Sequence, residues 1–121
     1  MGLYPGAPYE YLASANGLVF TAGACPLDED GHVVEPGDLE AQAVRTVENL
    51  FTALRAAGAG ADELLKTTVY VVANDRADLV RVWNAVAGRL GRAPSTLLGV
   101  SVLGYPDQLV EIEAIATTRS D

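Results

Sequence analysis

The stretch Gln108-Leu109-Val110-Glu111-Ile112-Glu113-Ala114-Ile115-Ala116 alternates with a period of two, which predicts a β-strand. Val110, Ile112 and Ala114 share one face and belong against a core. Leu109, Glu111, Glu113 and Ile115 share the other, so two carboxylates stand roughly 7 Å apart along one strand face. Acidic side chains are disfavoured in strands, and two of them between apolar residues call for a reason. Two readings are open. One is an edge or solvent-facing strand whose charges guard against wrong pairing. The other is a cleft at a sheet face or subunit contact, where one glutamate addresses a ligand.

Outward from this strand, Gly104-Tyr105-Pro106-Asp107 reads as a turn and Ser95 to Leu103 as a further strand. Arg92-Ala93-Pro94 is a short connection. Before it, Leu79, Val82, Trp83, Val86 and Leu90 trace an amphipathic helix. Asp75 is its expected N-cap, Asp78 follows three residues on as a capping-box variant, and Gly88 and Gly91 mark its end. Leu65 to Val72 is rich in β-branched residues and predicts a strand. From an N-cap at Asp38, Leu39, Ala43, Val44, Val47, Leu50, Phe51 and Leu54 fall on one face of a helix reaching Ala57, stopped by Gly58 and Gly60.

Ala24 to Gly37 reads as a loop, with a short extended piece at Gly31-His32-Val33-Val34. Asn16-Gly17 between two apolar runs predicts a hairpin across Tyr9–Gly23, because both residues tolerate positive φ. Met1 to Pro8 is irregular. The order is β-β-α-β-α-β-β, an α+β fold with a mixed sheet and two helices on one face. One domain covers residues 1–121. The other sheet face needs cover, and a small domain usually finds it in another subunit, so a homo-oligomer is expected.

Bulk properties exclude several function classes. The net charge is −8, which would repel a phosphate backbone, so neither nucleic acid nor an anionic membrane surface is expected as a partner. The single Cys25 cannot form an internal disulfide, as suits a reducing compartment. No Lys or Arg precedes Arg45, no signal-peptide pattern is seen and no apolar run has the length of a membrane span; a cytoplasmic location is expected.

The one histidine, His32, lies in a glycine-containing loop and reads as a solvated turn residue rather than a triad member. Histidine and cysteine are too few for a metal cluster. Asp28-Glu29-Asp30 lacks the spacing and terminal Glu of a calcium loop and reads as a solvated turn, so no metal site is assigned. No phosphate-binding or dinucleotide fingerprint is present. Cys25, before Pro26 and without a basic neighbour, is not expected to form a reactive thiolate.

Several short pieces together resemble the RidA (YjgF) family. They are Pro8-Tyr9, Asn16-Gly17-Leu18-Val19-Phe20, Gly23 with Pro26, and Asp38-Leu39-Glu40-Ala41-Gln42. Glu48-Asn49-Leu50, Ala56-Ala57-Gly58, Lys66-Thr67-Thr68-Val69 and Val110-Glu111-Ile112-Glu113-Ala114-Ile115-Ala116 complete the set. The pieces run in family order and spacing from about Pro8 to Ala116. The resemblance implies a chorismate-mutase-like fold and a homotrimer with three clefts between subunits, each taking a small molecule. It also implies hydrolysis of reactive imines and enamines without metal or organic cofactor. A carboxylate there favours the protonated imine and orients or deprotonates water. The family's water-directing glutamate falls on Glu111, its cleft tyrosine on Tyr9, and backbone groups near Gly23 contribute.

The chain departs from the family at one point. The arginine that grips the substrate carboxylate in the family is replaced by Pro94, before Ser95 at the start of the penultimate strand. Arg92, two positions earlier, is the candidate replacement, set against its reading as a solvated loop charge. Ala22 and Ala24 also stand where polar residues are usual, so a less polar pocket is expected. Two functions follow from the resemblance: an imine or enamine hydrolase whose substrate is not a standard 2-imino acid, or a non-catalytic ligand-binding or regulatory trimer. An endoribonuclease, a third role given to family members, conflicts with the charge and the lack of a general-acid histidine.

Overall fold

The computed structural model describes residues 2–119. Strands β1 (Leu12–Ala15) and β2 (Leu18–Thr21) precede α1 (Leu39–Ala56). Then follow β3 (Leu64–Val72), α2 (Arg76–Leu90), β4 (Ser95–Val100) and β5 (Val110–Thr117). The sheet order is β1-β2-β5-β3-β4, with β3 and β4 parallel and every other pair antiparallel. The expected α+β order and mixed sheet are thus present. β5, the strand with the paired glutamates, is central, hydrogen-bonded to β2 on one side and β3 on the other. No helix among the described residues is long and apolar enough to cross a membrane.

The hairpin closes as its turn chemistry dictates. Asn16 (φ 54°) and Gly17 (φ 78°) both take positive φ, as a two-residue type I′ turn requires. Its strands are shorter than Tyr9–Gly23. Just beyond them the Tyr11 carbonyl still accepts from the Ala22 N–H at 2.9 Å, and the rings of Tyr9 and Tyr11 meet edge to face at 6.0 Å.

α1 begins where Asp38 accepts from the Ala41 N–H at 3.0 Å and ends at Ala57, with Gly58 at φ +79°. Its buried stripe includes Leu39, Ala43, Val47, Leu50 and Leu54. Val44, expected on that face, is 40% exposed, while polar Gln42 and Thr46 are buried. Asp75 caps α2 through the Ala77 N–H, but Asp78 completes no capping box; its carboxylate accepts from Arg81 instead. Gly88 lies inside α2, which continues to a C-cap at Gly91. β4 stops at Val100 rather than Leu103. It is an edge strand, and its partner β3 ends at Val72, opposite Val100, so nothing remains to pair with.

Both helices cover one face of the sheet. Val19, Val69, Val71, Val110, Ile112, Ala114 and Ala116 meet Val47, Leu50, Leu54, Val82, Val86 and Leu90 in a single core. The alternate residues of the central strands, Tyr70, Glu111, Glu113 and Ile115, lie on the helix-free face and are only partly buried. Phe20, opposite Ile115, is 49% exposed. The segment that follows β2 stays beside β5 through an isolated bridge, Ala24 to Ile112, with reciprocal bonds of 2.7 and 3.1 Å. That bridge decides where the site lies.

Candidate functional site

The bridge turns Ala24 into the core with Ile112, so its neighbours Gly23 and Cys25 come alongside Glu111. The approach is close. A methyl group on Gly23 would sit 2.2 Å from Oε2 of Glu111 and 2.7 Å from its Cγ. Glycine leaves the Glu111 carboxylate its place here by space rather than by backbone conformation, since Gly23 is not among the residues at positive φ.

Oε1 of Glu111 has two donors: the amide of Gln108 at 3.2 Å and the Cys25 thiol at 3.4 Å. Burial first, then the charge and hydrogen bond of Glu111, push the Cys25 thiol up to about 12. It is therefore a neutral donor at physiological pH, as the absence of a basic neighbour led us to expect. Around Glu111 opens a groove of about 280 Å³, lined by Tyr9, Ala22, Gly23, Cys25, Gly104 and Tyr105. The hydroxyls of Tyr9 and Tyr105 are 3.2 Å apart across it. Partial burial, then this hydrogen bond, raises the Tyr9 phenol, so it stays protonated.

Further along the same face, Tyr70 donates to Oε1 of Glu113, and that bond pushes the phenol up to about 12. The two glutamates thus differ. Glu113 is engaged by a phenol, whereas Glu111 faces the groove. A smaller, less open hollow lined by Leu3, Tyr4 and Asn49, Leu50 and Ala53 of α1 is mainly apolar.

The structure brings together Tyr9, Gly23 and Glu111 but not the remaining expected residues. Ser95 pairs with buried Thr67 and accepts its hydroxyl at 2.7 Å, which places it on the helix-covered side of the sheet, away from Glu111. Pro94 is exposed, and its carbonyl accepts from the Thr67 N–H at 2.9 Å. Arg92 is an exposed residue of the turn after Gly91, not part of β4, so strand alternation does not carry it toward Glu111. Among the described residues, no arginine, lysine or histidine lines the groove. Sequence reasoning missed Tyr105, Gln108 and the contact of Cys25 with Glu111. Tyr105 sits in a Gly-Tyr-Pro-Asp turn, where the turn chemistry explained the segment without it.

His32 is exposed, and Asp28 accepts the backbone N–H groups of His32 and Asp30 at 3.0 and 2.9 Å. Those bonds hold the Asp28 carboxyl below its ordinary range. The segment is a self-capped turn, as expected from its spacing.

A two-helix α+β domain with a central acid facing a groove on its helix-free sheet face defines a chorismate-mutase-like class. Within that class the chain belongs to the RidA/YjgF family, whose model, described as Endoribonuclease L-PSP, matches residues 2–118. It is 36% identical over 118 residues to the RutC family protein UK114 of Drosophila melanogaster, covering 96% of this chain and 83% of that protein. The structure of the YjgF gene product of E. coli is similar, at 27% identity and a TM-score of 0.81, over 98% of this chain and 94% of that one. So is E. coli TdcF with bound serine, at 26% identity, a TM-score of 0.81 and the same coverage.

Proposed function

We propose that this protein hydrolyses small imines and enamines that lack a carboxylate, using Glu111 and no cofactor. The carrying observation is the state of Glu111, held through one oxygen with the other against Gly23 in a groove walled by two tyrosines. A protonated imine carbon is already electrophilic, and the carboxylate favours that cation by Coulombic attraction. Water adds to the carbon and gives its proton to Glu111. The C–N bond of the resulting carbinolamine then breaks. The nitrogen takes that proton and leaves with the C–N electron pair as the amine, while the hydroxyl oxygen forms the carbonyl and passes its own proton back to Glu111, which releases it to the departing amine or to water. An enamine enters after protonation on carbon. Tyr9 and Tyr105 offer hydroxyls and aromatic faces to a cation. Pro94, standing at the family's arginine position, favours a substrate without a carboxylate to grip.

The helix-free face, with half-exposed Phe20 beside Ile115, supports a homotrimer in which a neighbour covers this surface and closes the groove. The unpaired cysteine and the charge of −8 support a cytoplasmic protein that does not use RNA as substrate.

The test generates two imines in situ, one from a simple primary amine and one from an amino acid, and follows carbonyl release. Faster release than in buffer is expected for the first, with a loss of about 100-fold in Glu111→Gln. No acceleration of either imine by the wild type removes the reading. A second reading is favoured by TdcF, whose structure holds serine: a binding trimer that releases its ligand unchanged. A rise in melting temperature with an amine, without turnover of any imine, would select it. Light scattering of the purified protein tests the trimer.

A further inference from the structure

Two buried glutamines hold the loop that leads into β5. Gln108 is only 4% exposed and sits just after Asp107, whose φ is 65°. Its carbonyl accepts from the Tyr105 N–H at 3.1 Å. Its amide donates to the Val110 carbonyl at 3.0 Å and to Oε1 of Glu111 at 3.2 Å. The orientation of this amide is fixed by its partners, because a flip would set donor against donor at Tyr105 and acceptor against acceptor at Val110. From the other side Gln42, fully buried on α1, donates to the carbonyls of Glu35 and Asp107 at 3.2 and 3.1 Å. It also accepts from the Leu109 N–H at 2.8 Å. The segment presenting Tyr105 is thereby tied to the helix layer and to Glu111 at once.

Both side-chain donors to Glu111 fall on the same oxygen. The second is Cys25, whose thiol lies 3.4 Å from Oε1 and equally 3.4 Å from the Gly23 carbonyl. A thiol has one proton, so it serves one acceptor at a time, and the Gln108 amide is the constant donor. Oε2, packed over Gly23, has no such partner among the described residues.

We propose that Gln108 is a positioning residue: it holds the Glu111 carboxylate one-sided, with Oε1 occupied and Oε2 directed at the groove, and sets it in register with Tyr105. Its part in turnover rests on the reading of Glu111 as the acid that handles water. The hold itself is a matter of packing and is separable. Gln108 acts through Glu111 and the loop and does not itself line the groove.

Two measurements on the full chain separate the possibilities. Gln108→Met keeps length and removes both hydrogen-bonding functions; Gln108→Glu keeps the acceptor for Tyr105 but removes the donor to Glu111. With a carboxylate-free imine, both variants are expected to lose about 10-fold or more in kcat with KM changed by no more than about 3-fold. In a Glu111→Gln background Gln108→Met should cost no further activity. The second measurement needs no turnover. Urea midpoints for Gln108→Met, Glu111→Ala and the double variant should be non-additive, because the two side chains touch. If the wild type turns over no imine but the midpoints are non-additive, the hydrolase reading fails and the hold on Glu111 stands. Wild-type kcat in both Gln108 variants, with additive midpoints, overturns the proposal and leaves the hydrolase reading intact. Should Gln108→Met fail to fold, Gln108→Glu carries both measurements.

Discussion

Placing a methyl group on Gly23 tests the site most directly. The backbone there lies outside the left-handed region, so alanine meets no conformational penalty and gains about 0.5 kcal/mol from a less flexible unfolded chain. The nearest obstacle is Glu111: the new carbon would lie 2.2 Å from Oε2, 2.5 Å from Cδ and 2.7 Å from Cγ. Three side-chain atoms of one residue must move, so the carboxylate swings away and loses the Gln108 bond and the Cys25 contact. A hydrogen bond to a carboxylate and local overpacking together cost about 2 kcal/mol, leaving Gly23→Ala about 1 to 2 kcal/mol less stable than wild type. In a Glu111→Ala background the obstacle is gone, and the same Gly23→Ala change should be neutral or slightly stabilising. Urea denaturation of the four proteins gives the coupling directly, expected at about 2 kcal/mol because the unfolded-chain gain cancels between the two backgrounds. Turnover of the carboxylate-free imine should fall about 100-fold in Gly23→Ala, the scale for moving a reacting group by an ångström. If Gly23→Ala costs as much without Glu111 as with it, the packing of this acid against Gly23 is refuted.

Four further outcomes are expected. Native Cys25, its thiol pushed up to about 12, should resist iodoacetamide at pH 8 and react only after denaturation; rapid labelling of the folded protein would contradict the geometry. Tyr70, whose phenol is raised from 10.0 to about 12 chiefly by its bond to Glu113, binds its proton more tightly folded than unfolded. Its stabilising contribution is complete below about pH 10 and is lost as pH rises toward 12, so Tyr70→Phe should flatten the alkaline decline in stability, and an unchanged slope would count against the bond. Asp38→Ala, which removes the N-cap of α1, should cost about 1 kcal/mol by urea denaturation, with no loss if the cap is made elsewhere. Leu50→Ala, in the fully buried stripe of α1, should cost about 3 kcal/mol, and a cost below 1 kcal/mol would contradict its burial.

The elements were legible because each rests on local chemistry. Asn16-Gly17 fixes the hairpin turn, Asp38 and Asp75 start the helices, and the alternation from Val110 onward divides β5 between core and groove. Errors fell where a tertiary partner decides. Val44 satisfies the helical period yet is exposed, because no facing element lies over it. Ser95, a candidate only through the family resemblance, is set by the parallel register with Thr67 on the other side of the sheet from Glu111 within the protomer.

The sequence by itself therefore determined the order of strands and helices and the face on which Glu111 stands, since periodicity and turn chemistry are properties of neighbouring residues. Only the tertiary structure decided what surrounds that acid. Gly23 and Cys25, more than 80 residues earlier in the chain, reach it through one isolated bridge, and Tyr9 meets Tyr105 across 96 positions. Those contacts follow from strand register and from a loop held by Gln42 and Gln108, and register is set by the whole core rather than by any segment within it.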